Sequence, residues 1–514
     1  MPSAYSQTAT NSSAPSLHPL LVLILAPMAG ALITLSLAPF SVWPAGIVSC
    51  ALYGYLLCTC STGQALWRGW LFGLGLFGSG ASWVYISIHV YGFASVPLAV
   101  LLTALFCGGL ALLHSLFAWC YVRWIRWLPG GMLLGFPALW VVFEWLRSWL
   151  LTGFPWLYLG YAHVDTWIAG WAPVLGVYGL SFICALTGIS LFLGWRSRQA
   201  VSTMTYMGLI ATLWIGGSVL KPIEWVDRAS ELPLTVALYQ PNIPQQDKWD
   251  RRQYEAILAR YSKAIRSSYG NDIILWPESA IPNAYHRARN FLDPIAKQAA
   301  VTESTLITGI PTRSKDGDTY YNSIVSLGMG EGSYDKQRLV PFGEYVPMES
   351  WLRGLIAFFD LPMSNFSAGA KDQPPLRAGA YRVAPYICYE IVYPDLVAKG
   401  ARKADILITI SNDSWFGNSI GPLQHLQMAQ MRALENGRYL LRGTNNGVSA
   451  IINHRGQIVA RTDQFMETTL YGEAEVMLGR TPFGSFGSKV VIGGSFLGLL
   501  LMMLMYRVFW REDV

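Results

Sequence analysis

Long apolar runs fill the first 220 residues of the chain and recur once near its end. A helix needs about 20 apolar residues to cross a bilayer, and runs this long are not typical of a soluble fold. They lie near residues 20–37, 42–60, 69–90, 95–120, 131–150, 170–194 and 203–220, with an eighth at 488–506. The block between the seventh and eighth runs carries interspersed charges like a normal globular domain. We therefore predict an α-helical transmembrane domain of eight helices and a separate extramembrane domain.

Basic residues fall in every second loop between these runs and after the last one. They are Arg68, Arg123, Arg126, Arg196, Arg198, Arg507 and Arg511. Because Lys and Arg accumulate in cytoplasmic loops, both termini are predicted to be cytoplasmic and the extramembrane block to lie on the trans side. The predicted divisions are a tail at 1–19, seven transmembrane helices at 20–220, the extramembrane domain at 221–487, and a final helix with a cytoplasmic tail at 488–514.

The extramembrane block alternates short β-branched runs with helical stretches from Leu234 onward, which predicts a layered α/β domain. The predicted strands are 234–239, 272–276, 304–309, 323–327, 334–340, 382–388, 405–411 and 448–453. The predicted helices are 251–267, 292–299 and 423–439. The net charge of +6 is spread over two very different regions, so we predict no nucleic-acid partner.

Cys388 is the only cysteine of the extramembrane block. The other six cysteines lie in the apolar stretches, at positions 50, 58, 60, 107, 120 and 184. The trans side of a bacterial inner membrane favours disulfides, but a single cysteine cannot form an internal one. Cys388 is therefore either an inert packing residue or a nucleophile that is kept free.

Three ionisable residues each follow or end a predicted strand, where side chains emerge at a sheet edge. They are Glu278, Lys336 and Cys388. An isolated Glu or Lys is usually a solvated surface group. Together the three match a mechanism, because a thiol needs a base and an acyl-transfer intermediate needs a cation against its oxyanion.

The strings around these residues resemble a known superfamily. Trp276–Glu278, Lys336–Glu344 and Cys388–Glu390 are similar to the Glu-Lys-Cys motifs of the carbon-nitrogen hydrolase (nitrilase) superfamily. With the apolar runs, and with the strings Glu144–Arg147 and Thr152–Trp156, the whole chain resembles the bacterial apolipoprotein N-acyltransferases. The resemblance implies a nitrilase-like αββα sandwich on a multi-helix membrane domain.

The resemblance also implies roles for individual residues. Cys388 would be the nucleophile, Glu278 the general base and Lys336 the oxyanion stabiliser. The additional residues expected near the site are Glu344, Tyr389 and Glu390. No cofactor and no metal is expected, since His425 and His454 lack a partner at ligand spacing.

The implied reaction has two substrates, both anchored in lipid. Cys388 would take the sn-1 acyl chain of a phospholipid, expected to be phosphatidylethanolamine, as a thioester. The acceptor would be the free α-amino group of the diacylglyceryl-cysteine that begins an apolipoprotein. The resemblance places this reaction at the bacterial inner membrane, with the catalytic domain facing the periplasm.

An apolar segment at 351–363 interrupts the polar block between the Lys336 and Cys388 strands. It is either a core helix or a mobile lid that dips into the bilayer surface. Candidate substrate contacts are Phe358 and Phe359 within it, and Trp249, Trp415 and Asn322 elsewhere. Trp249 and Trp415 are equally well interpreted as core aromatics.

Glu144 and Arg147 are spaced one helical turn apart, so they form either a structural ion pair or a contact for a lipid headgroup. Two other functions remain open for the whole chain. One is a membrane-tethered amidase or nitrilase-type hydrolase with water as acceptor, although a soluble substrate would not require eight helices. The other is a lipid-binding scaffold in which the three ionisable residues are incidental.

Overall fold

The computed structural model describes residues 17–197, 199–314, 317, 319–345 and 366–509. A helical part contains the described residues up to Leu220 and the last helix. Its α-helices are α1 Pro19–Ser36, α2 Pro44–Cys58, α3 Thr62–Gly80, α4 Val84–Ile86, α5 Val96–Cys120, α6 Phe136–Arg147, α7 Ala172–Arg196 and α8 Ala200–Leu220, with the C-terminal helix Lys489–Phe509. Each predicted apolar run therefore contains a helix.

The predicted count of eight crossings is approximate. Within the described ranges five helices are long and apolar enough to span a bilayer, and a sixth span arises if the pair Thr62–Gly80 and Val84–Tyr91, bent by 61°, counts as one. Helix α2 has only 15 residues. Helix α6 has 12 and follows a π-helical turn at Gly131–Gly135, which the left-handed Gly130 precedes. Glycine adopts this backbone conformation without steric cost, so the chain turns at Gly130, just before the fifth run begins.

The α/β part contains fifteen strands among the described residues. They are β1 Val226–Arg228, β2 Leu234–Gln240, β3 Ile273–Leu275, β4 Thr305–Arg313, β5 Tyr320–Gly328, β6 Gly330–Glu331, β7 Ser333–Asp335, β8 Leu376–Ala378, β9 Tyr381–Ile387, β10 Ile406–Ser411, β11 Leu440–Thr444, β12 Ala450–Ile452, β13 Ile458–Arg461, β14 Thr468–Ala474 and β15 Met477–Gly479. Its helices are α9 Gln245–Lys248, α10 Tyr254–Arg266, α11 Tyr285–Val301, α12 Pro394–Ala401, α13 Gly421–Asn436 and α14 Pro482–Phe486.

Two sheets stack face to face in this part. The six-stranded sheet has the order β14-β2-β3-β4-β5-β7, and the seven-stranded sheet has the order β13-β12-β11-β10-β9-β8-β6. Between them lies an aliphatic core that includes Leu238, Leu275, Ile387, Ile408 and Leu441. Residues of α10 and α11 pack on the outer face of the first sheet, and residues of α12 and α13 on that of the second. This layering confirms the predicted αββα sandwich.

The strand that precedes Lys336 is shorter than predicted. The sequence predicts strand from 334 to 340, but β7 ends at Asp335. Beyond that point the backbone N–H groups of Gln337 and Arg338 donate to the carboxylate of Glu390 rather than to a neighbouring strand. A long-range side chain therefore ends the ladder, and Lys336 lies at the start of a loop.

Helix α13 lies between the seven-stranded sheet and the membrane helices. Fifteen of its sixteen residues are buried. Two glutamine side chains of this helix bond to the helical part. The Oε1 atom of Gln427 accepts a hydrogen bond from the Ala38 N–H at 3.0 Å. Gln424 Oε1 accepts from the indole N–H groups of Trp156 at 2.7 Å and Trp83 at 3.3 Å.

We predict that Gln424→Leu destabilises this junction. The substitution would leave the buried indole N–H of Trp156 without its acceptor, at a cost of about 2 kcal/mol in unfolding free energy, whereas the Trp83 indole keeps the Gly80 carbonyl at 3.0 Å. The measurement is the apparent Tm of the purified protein in detergent, with Gln298→Leu on the exposed face of α11 as the matched control. Equal Tm values for the two variants would contradict this role for Gln424.

Glu144 and Arg147 do not bond to each other. Both are buried, and each bonds to the turn that follows α6. Glu144 Oε1 accepts from the Leu159 N–H at 2.9 Å and from the Trp140 indole at 3.0 Å, while Arg147 donates to the Leu157 carbonyl at 3.3 Å. The predicted direct ion pair is therefore not formed, whereas the contact to a lipid headgroup stays a prediction.

Candidate active site

Glu278, Lys336 and Cys388 converge at one edge of the two sheets. Strand β3 runs parallel to its neighbours β2 and β4, and β9 runs parallel to β10. Glu278 follows the end of β3 by three residues, and Cys388 directly follows β9. The carboxyl ends of parallel strands meet at the same edge, where ligands bind in open α/β sheets. Lys336 directly follows β7, which ends beside the same sheet edge, so its side chain reaches Glu278.

The ammonium of Lys336 lies between two carboxylates. Its Nζ is 3.4 Å from Glu278 Oε1 and 2.8 Å from Glu344 Oε2. The side chain is 1% exposed. Burial lowers the pKa of Lys336, but the carboxylates of Glu344 and Glu278 outweigh this effect and the net pKa is raised. Lys336 is therefore a permanent cation in the site.

Neutral donors hold the two carboxylates in place. The Nδ2 atom of Asn322 donates to Glu278 Oε1 at 2.7 Å and to Glu344 Oε1 at 2.8 Å. The Asn412 N–H donates to Glu278 Oε2 at 2.8 Å, and the Val340 N–H donates to Glu344 Oε2 at 2.8 Å. Asn322 thus lies in the predicted site, where its amide bridges two carboxylates.

Cys388 begins a tight turn in an uncommon backbone conformation. Its φ is +51°, in the left-handed region that non-glycine residues rarely adopt. Burial, and secondarily the charge of Glu278, raise the pKa of the thiol to about 12, although the Lys336 ammonium opposes them. The sequence predicts that a nearby cation favours the thiolate, but burial dominates and the resting sulfur is protonated. A base must then remove its proton during attack, and the charge of Glu278 acts directly on the thiol.

We predict that alkylation of Cys388 by iodoacetamide accelerates about tenfold per pH unit from pH 7 to pH 9. Far below a thiol pKa the thiolate fraction rises tenfold per unit, and the thiolate is the species that reacts. Peptide mass spectrometry separates Cys388 from the other six cysteines. The urea-unfolded chain is the control, because its free thiols titrate with a pKa of about 8.5 and their rate should level off above about pH 9.5. A plateau below pH 8 in the folded protein would contradict the buried thiol.

Glu390 and Tyr389 fix the nucleophile turn from two sides. Glu390 accepts hydrogen bonds from Tyr334 Oη at 2.8 Å, from the Gln337 N–H at 2.7 Å and from the Ile387 N–H at 2.8 Å. It therefore joins the end of β9 to the loop of Lys336. Tyr389 Oη donates to the Gly153 carbonyl at 3.0 Å, in the loop after α6. The nucleophile turn is thus bonded directly to the helical part.

The candidate substrate contacts have different surroundings. Trp249 is 38% exposed and follows Lys248, a buried lysine whose ammonium donates to the Glu278 carbonyl at 2.8 Å. Trp415 packs against Tyr91 of the helical part, with ring centroids 5.5 Å apart. Phe358 and Phe359, together with the predicted lid, lie outside the described residues.

Four residues near the site were missed by the sequence-based prediction: Lys248, Asp413, His425 and Arg442. Asp413 follows β10 at the same sheet edge, so the reasoning applied to Glu278 could have found it. His425 seemed isolated, but its Nε2 lies 3.1 Å from the carbonyl oxygen of Cys388. No local sequence pattern predicts the contacts of His425 and Arg442, because their partners lie on other elements.

The two-sheet fold and its buried Glu-Lys-Cys cluster are those of a carbon-nitrogen hydrolase. The profile of the family described as Carbon-nitrogen hydrolase matches residues 235–482. The profile described as Apolipoprotein N-acyltransferase N-terminal domain matches residues 29–190. Together the matches cover the sandwich and most of the helical part. The chain belongs to the apolipoprotein N-acyltransferase family.

Individual relatives support this assignment along the whole chain. The Apolipoprotein N-acyltransferase of Pseudomonas syringae pv. tomato is 48% identical over 467 residues, which cover 90% of this chain and 92% of the relative. That of Coxiella burnetii is 40% identical over 483 residues, covering 94% and 99%. Among solved structures, Saccharomyces cerevisiae Nit3 of the nitrilase superfamily is similar at 19% identity with a TM-score of 0.36, covering 57% of this chain and 98% of its own.

Proposed function

We propose that this enzyme transfers the sn-1 acyl chain of a membrane phospholipid, through a thioester on Cys388, to the α-amino group of the diacylglyceryl-cysteine of apolipoproteins. The observation that carries the proposal is the convergence of Cys388 with Glu278 and Lys336 at a sheet edge that bonds to the membrane helices. The relatives are named for acylation of apolipoproteins, and this chain resembles them over nine-tenths of its length.

In the first half-reaction the sulfur of Cys388 attacks the ester carbonyl and its proton passes to Glu278. The tetrahedral oxyanion forms beside the Lys336 ammonium, which stabilises developing negative charge without reorganisation. Collapse breaks the bond to the glycerol oxygen, and Glu278 returns its proton to that oxygen. A thioester and a lysophospholipid result.

In the second half-reaction the neutral α-amine of the lipoprotein attacks the thioester carbonyl. Glu278 accepts a proton from the amine, the carbon–sulfur bond breaks, and the proton returns to the departing sulfur. The products are an amide and free Cys388. Because each substrate reacts with one form of the enzyme in turn, ping-pong kinetics follow.

We further propose that Glu344, Glu390, Tyr389 and Asn322 position the reacting groups. The ammonium of Lys336 donates to the carboxylates of Glu344 and Glu278, and these contacts hold it as a cation. Trp249, Trp415, Phe358 and Phe359 are proposed as contacts for the acyl chains, and the segment 351–363 as a lid. We take 20–220 with 488–514 as the membrane domain and 221–487 as the catalytic domain.

The proposed location is the inner membrane, with the catalytic domain in the periplasm and both termini in the cytoplasm. Two groups of contacts at opposite helix ends support this orientation. Arg68 donates to the Leu56 carbonyl and Arg126 to the Cys60 carbonyl, at the C-terminal end of α2. The catalytic domain contacts Ala38 at the opposite end of the bundle.

Labelling of intact spheroplasts with a membrane-impermeant amine reagent tests the orientation. Lys263 and Lys297 are exposed on α10 and α11 of the catalytic domain and should be modified without lysis. Modification only after lysis would place this domain in the cytoplasm.

The reaction itself is tested with purified protein, phosphatidylethanolamine labelled differently in its sn-1 and sn-2 chains, and a diacylated lipopeptide. Mass spectrometry should find the sn-1 acyl mass on Cys388 when the lipopeptide is omitted, and the same chain as an amide when it is added. Release of free fatty acid without amide would instead identify a hydrolase. Phosphatidylglycerol in parallel tests the proposed headgroup preference.

A further inference from the structure

His425 is buried directly behind the nucleophile turn but is not among the reacting groups. Its Nε2 lies 3.1 Å from the carbonyl oxygen of Cys388, and its side chain is fully buried. The aromatic rings of Trp156 and Phe416 flank the imidazole, with centroid distances of 5.5 and 6.1 Å. Trp156 belongs to the helical part, so the ring of His425 is packed between the two domains.

A buried charged pair contacts the other ring nitrogen of His425. Arg442 Nη2 donates to Asp413 Oδ2 at 2.7 Å and lies 3.1 Å from His425 Nδ1. Asp413 Oδ1 lies 3.3 Å from the same nitrogen and accepts a hydrogen bond from Ser411 Oγ at 2.5 Å. The side chains of Asp413 and Arg442 are both fully buried.

These neighbours determine which ring nitrogen carries the proton. Burial, and then the charge of Arg442, lower the pKa of His425, so the ring is neutral and has one N–H. The carbonyl of Cys388 can only accept a hydrogen bond, and the guanidinium of Arg442 can only donate one. Both contacts are satisfied when Nε2 carries the proton and Nδ1 accepts from Arg442. The opposite tautomer would gain only the longer contact from Nδ1–H to Asp413 Oδ1 at 3.3 Å, and it would lose the hydrogen bonds to Cys388 and Arg442 together.

We propose that His425 is a positioning residue, which Arg442 and Asp413 hold as the Nε2–H tautomer so that it binds the Cys388 carbonyl and fixes the left-handed nucleophile turn. This inference rests on the proposed function of Cys388. A non-glycine residue in this region is strained, and the conformation persists only where its surroundings enforce it. The direction of the Cys388 side chain depends on the same backbone torsions, so loss of the contact displaces the sulfur from Glu278 and Lys336.

The tautomer can be read directly in the full chain. The protein has seven histidines, and ¹⁵N-histidine labelling in nanodiscs gives seven pairs of ring signals, of which His425→Gln removes one. We expect that pair to show a protonated Nε2 and an unprotonated Nδ1 at pH 7. A protonated Nδ1, or an imidazolium, would overturn the inference. This measurement needs no acyl transfer, so it is independent of the proposed reaction.

Two substitutions separate positioning from simple packing. His425→Phe keeps the ring but removes the donor, whereas the side-chain amide of His425→Gln can still donate to the Cys388 carbonyl. We expect thioester formation on Cys388 and its alkylation by iodoacetamide to fall about 10- to 100-fold in the Phe variant, because a misplacement of about 1 Å has an effect of that order. The Gln variant should stay within about fivefold of the wild type, with the KM for phospholipid unchanged in both.

His454→Phe is the matched control, since His454 is bonded to Glu224 on the surface. Unchanged alkylation of Cys388 in His425→Phe would overturn the positioning role. So would an equal loss of alkylation in the Phe and Gln variants that parallels the decrease in their Tm. If all variants alkylate as expected but no thioester forms in the wild type, the proposed acyl transfer fails while the structural role of His425 stands.

Discussion

Cys388→Ser is expected to abolish both thioester formation and acylation of the lipopeptide, with a loss on the order of 10³-fold or more. Serine retains the shape of the side chain, but its hydroxyl is a far weaker nucleophile than a thiol. The buried site also disfavours any anion at this position, since burial already raises the pKa of the Cys388 thiol to about 12. The assay is phospholipid turnover and amide formation by mass spectrometry.

The control is Cys58→Ser, a partly exposed cysteine at the end of α2. It should leave both activities unchanged. Full retention of lipopeptide acylation by Cys388→Ser would contradict the thioester route and would favour a scaffold whose cysteine is incidental. Loss of acylation with retention of lipid cleavage would contradict the proposal that one nucleophile serves both half-reactions.

Lys336→Met should lower thioester formation about 10²- to 10³-fold, because it removes the cation that faces the developing oxyanion. The effect on stability is also large. Methionine leaves the buried carboxylates of Glu278 and Glu344 sharing the Asn322 amide without their countercharge. Breaking a buried ion pair by removing one partner typically costs 3–5 kcal/mol of unfolding free energy.

Single-turnover acylation and the apparent Tm measure the two effects of Lys336→Met separately. Lys297→Met, at an exposed position of α11, is the matched control and should change neither. Acylation within threefold of the wild type at a temperature where the variant is folded would contradict oxyanion stabilisation by Lys336. A normal Tm with lost acylation would contradict the predicted loss of stability. It would show that the charges of the two carboxylates are neutralised in another way.

Much of the site could be predicted because its residues follow strands. Glu278 and Cys388 each follow a predicted strand, and the ends of β3 and β9 lie at the same edge of the sandwich although the two strands belong to different sheets. The position of Lys336 was harder, since the strand before it is only three residues long. Its end depends on Glu390, more than fifty residues further along, and no local pattern reports such a partner.

The helix predicted at 423–439 is confirmed as α13, but the sequence does not indicate what covers its outer face. Its apolar residues are spaced as on a helix that covers a sheet, with glutamines and a histidine between them. Such a pattern usually indicates a solvated outer face. In this protein the outer face meets the membrane helices, so Gln424, Gln427 and His425 became buried contacts. Amphipathicity records which face is apolar, but it does not record what covers the other one.

The sequence by itself determined that the chain has many apolar helices and that an α/β domain interrupts them, and it predicted the three side chains that we propose carry the chemistry. These features depend on local composition and on periodicity within one element. Only the tertiary structure decided that Asn322 bridges two carboxylates, that Tyr389 bonds to the loop after α6, and that Arg442 lies 3.1 Å from His425 Nδ1. Each of those contacts joins elements far apart in the chain, and its energy depends on burial that no single segment encodes.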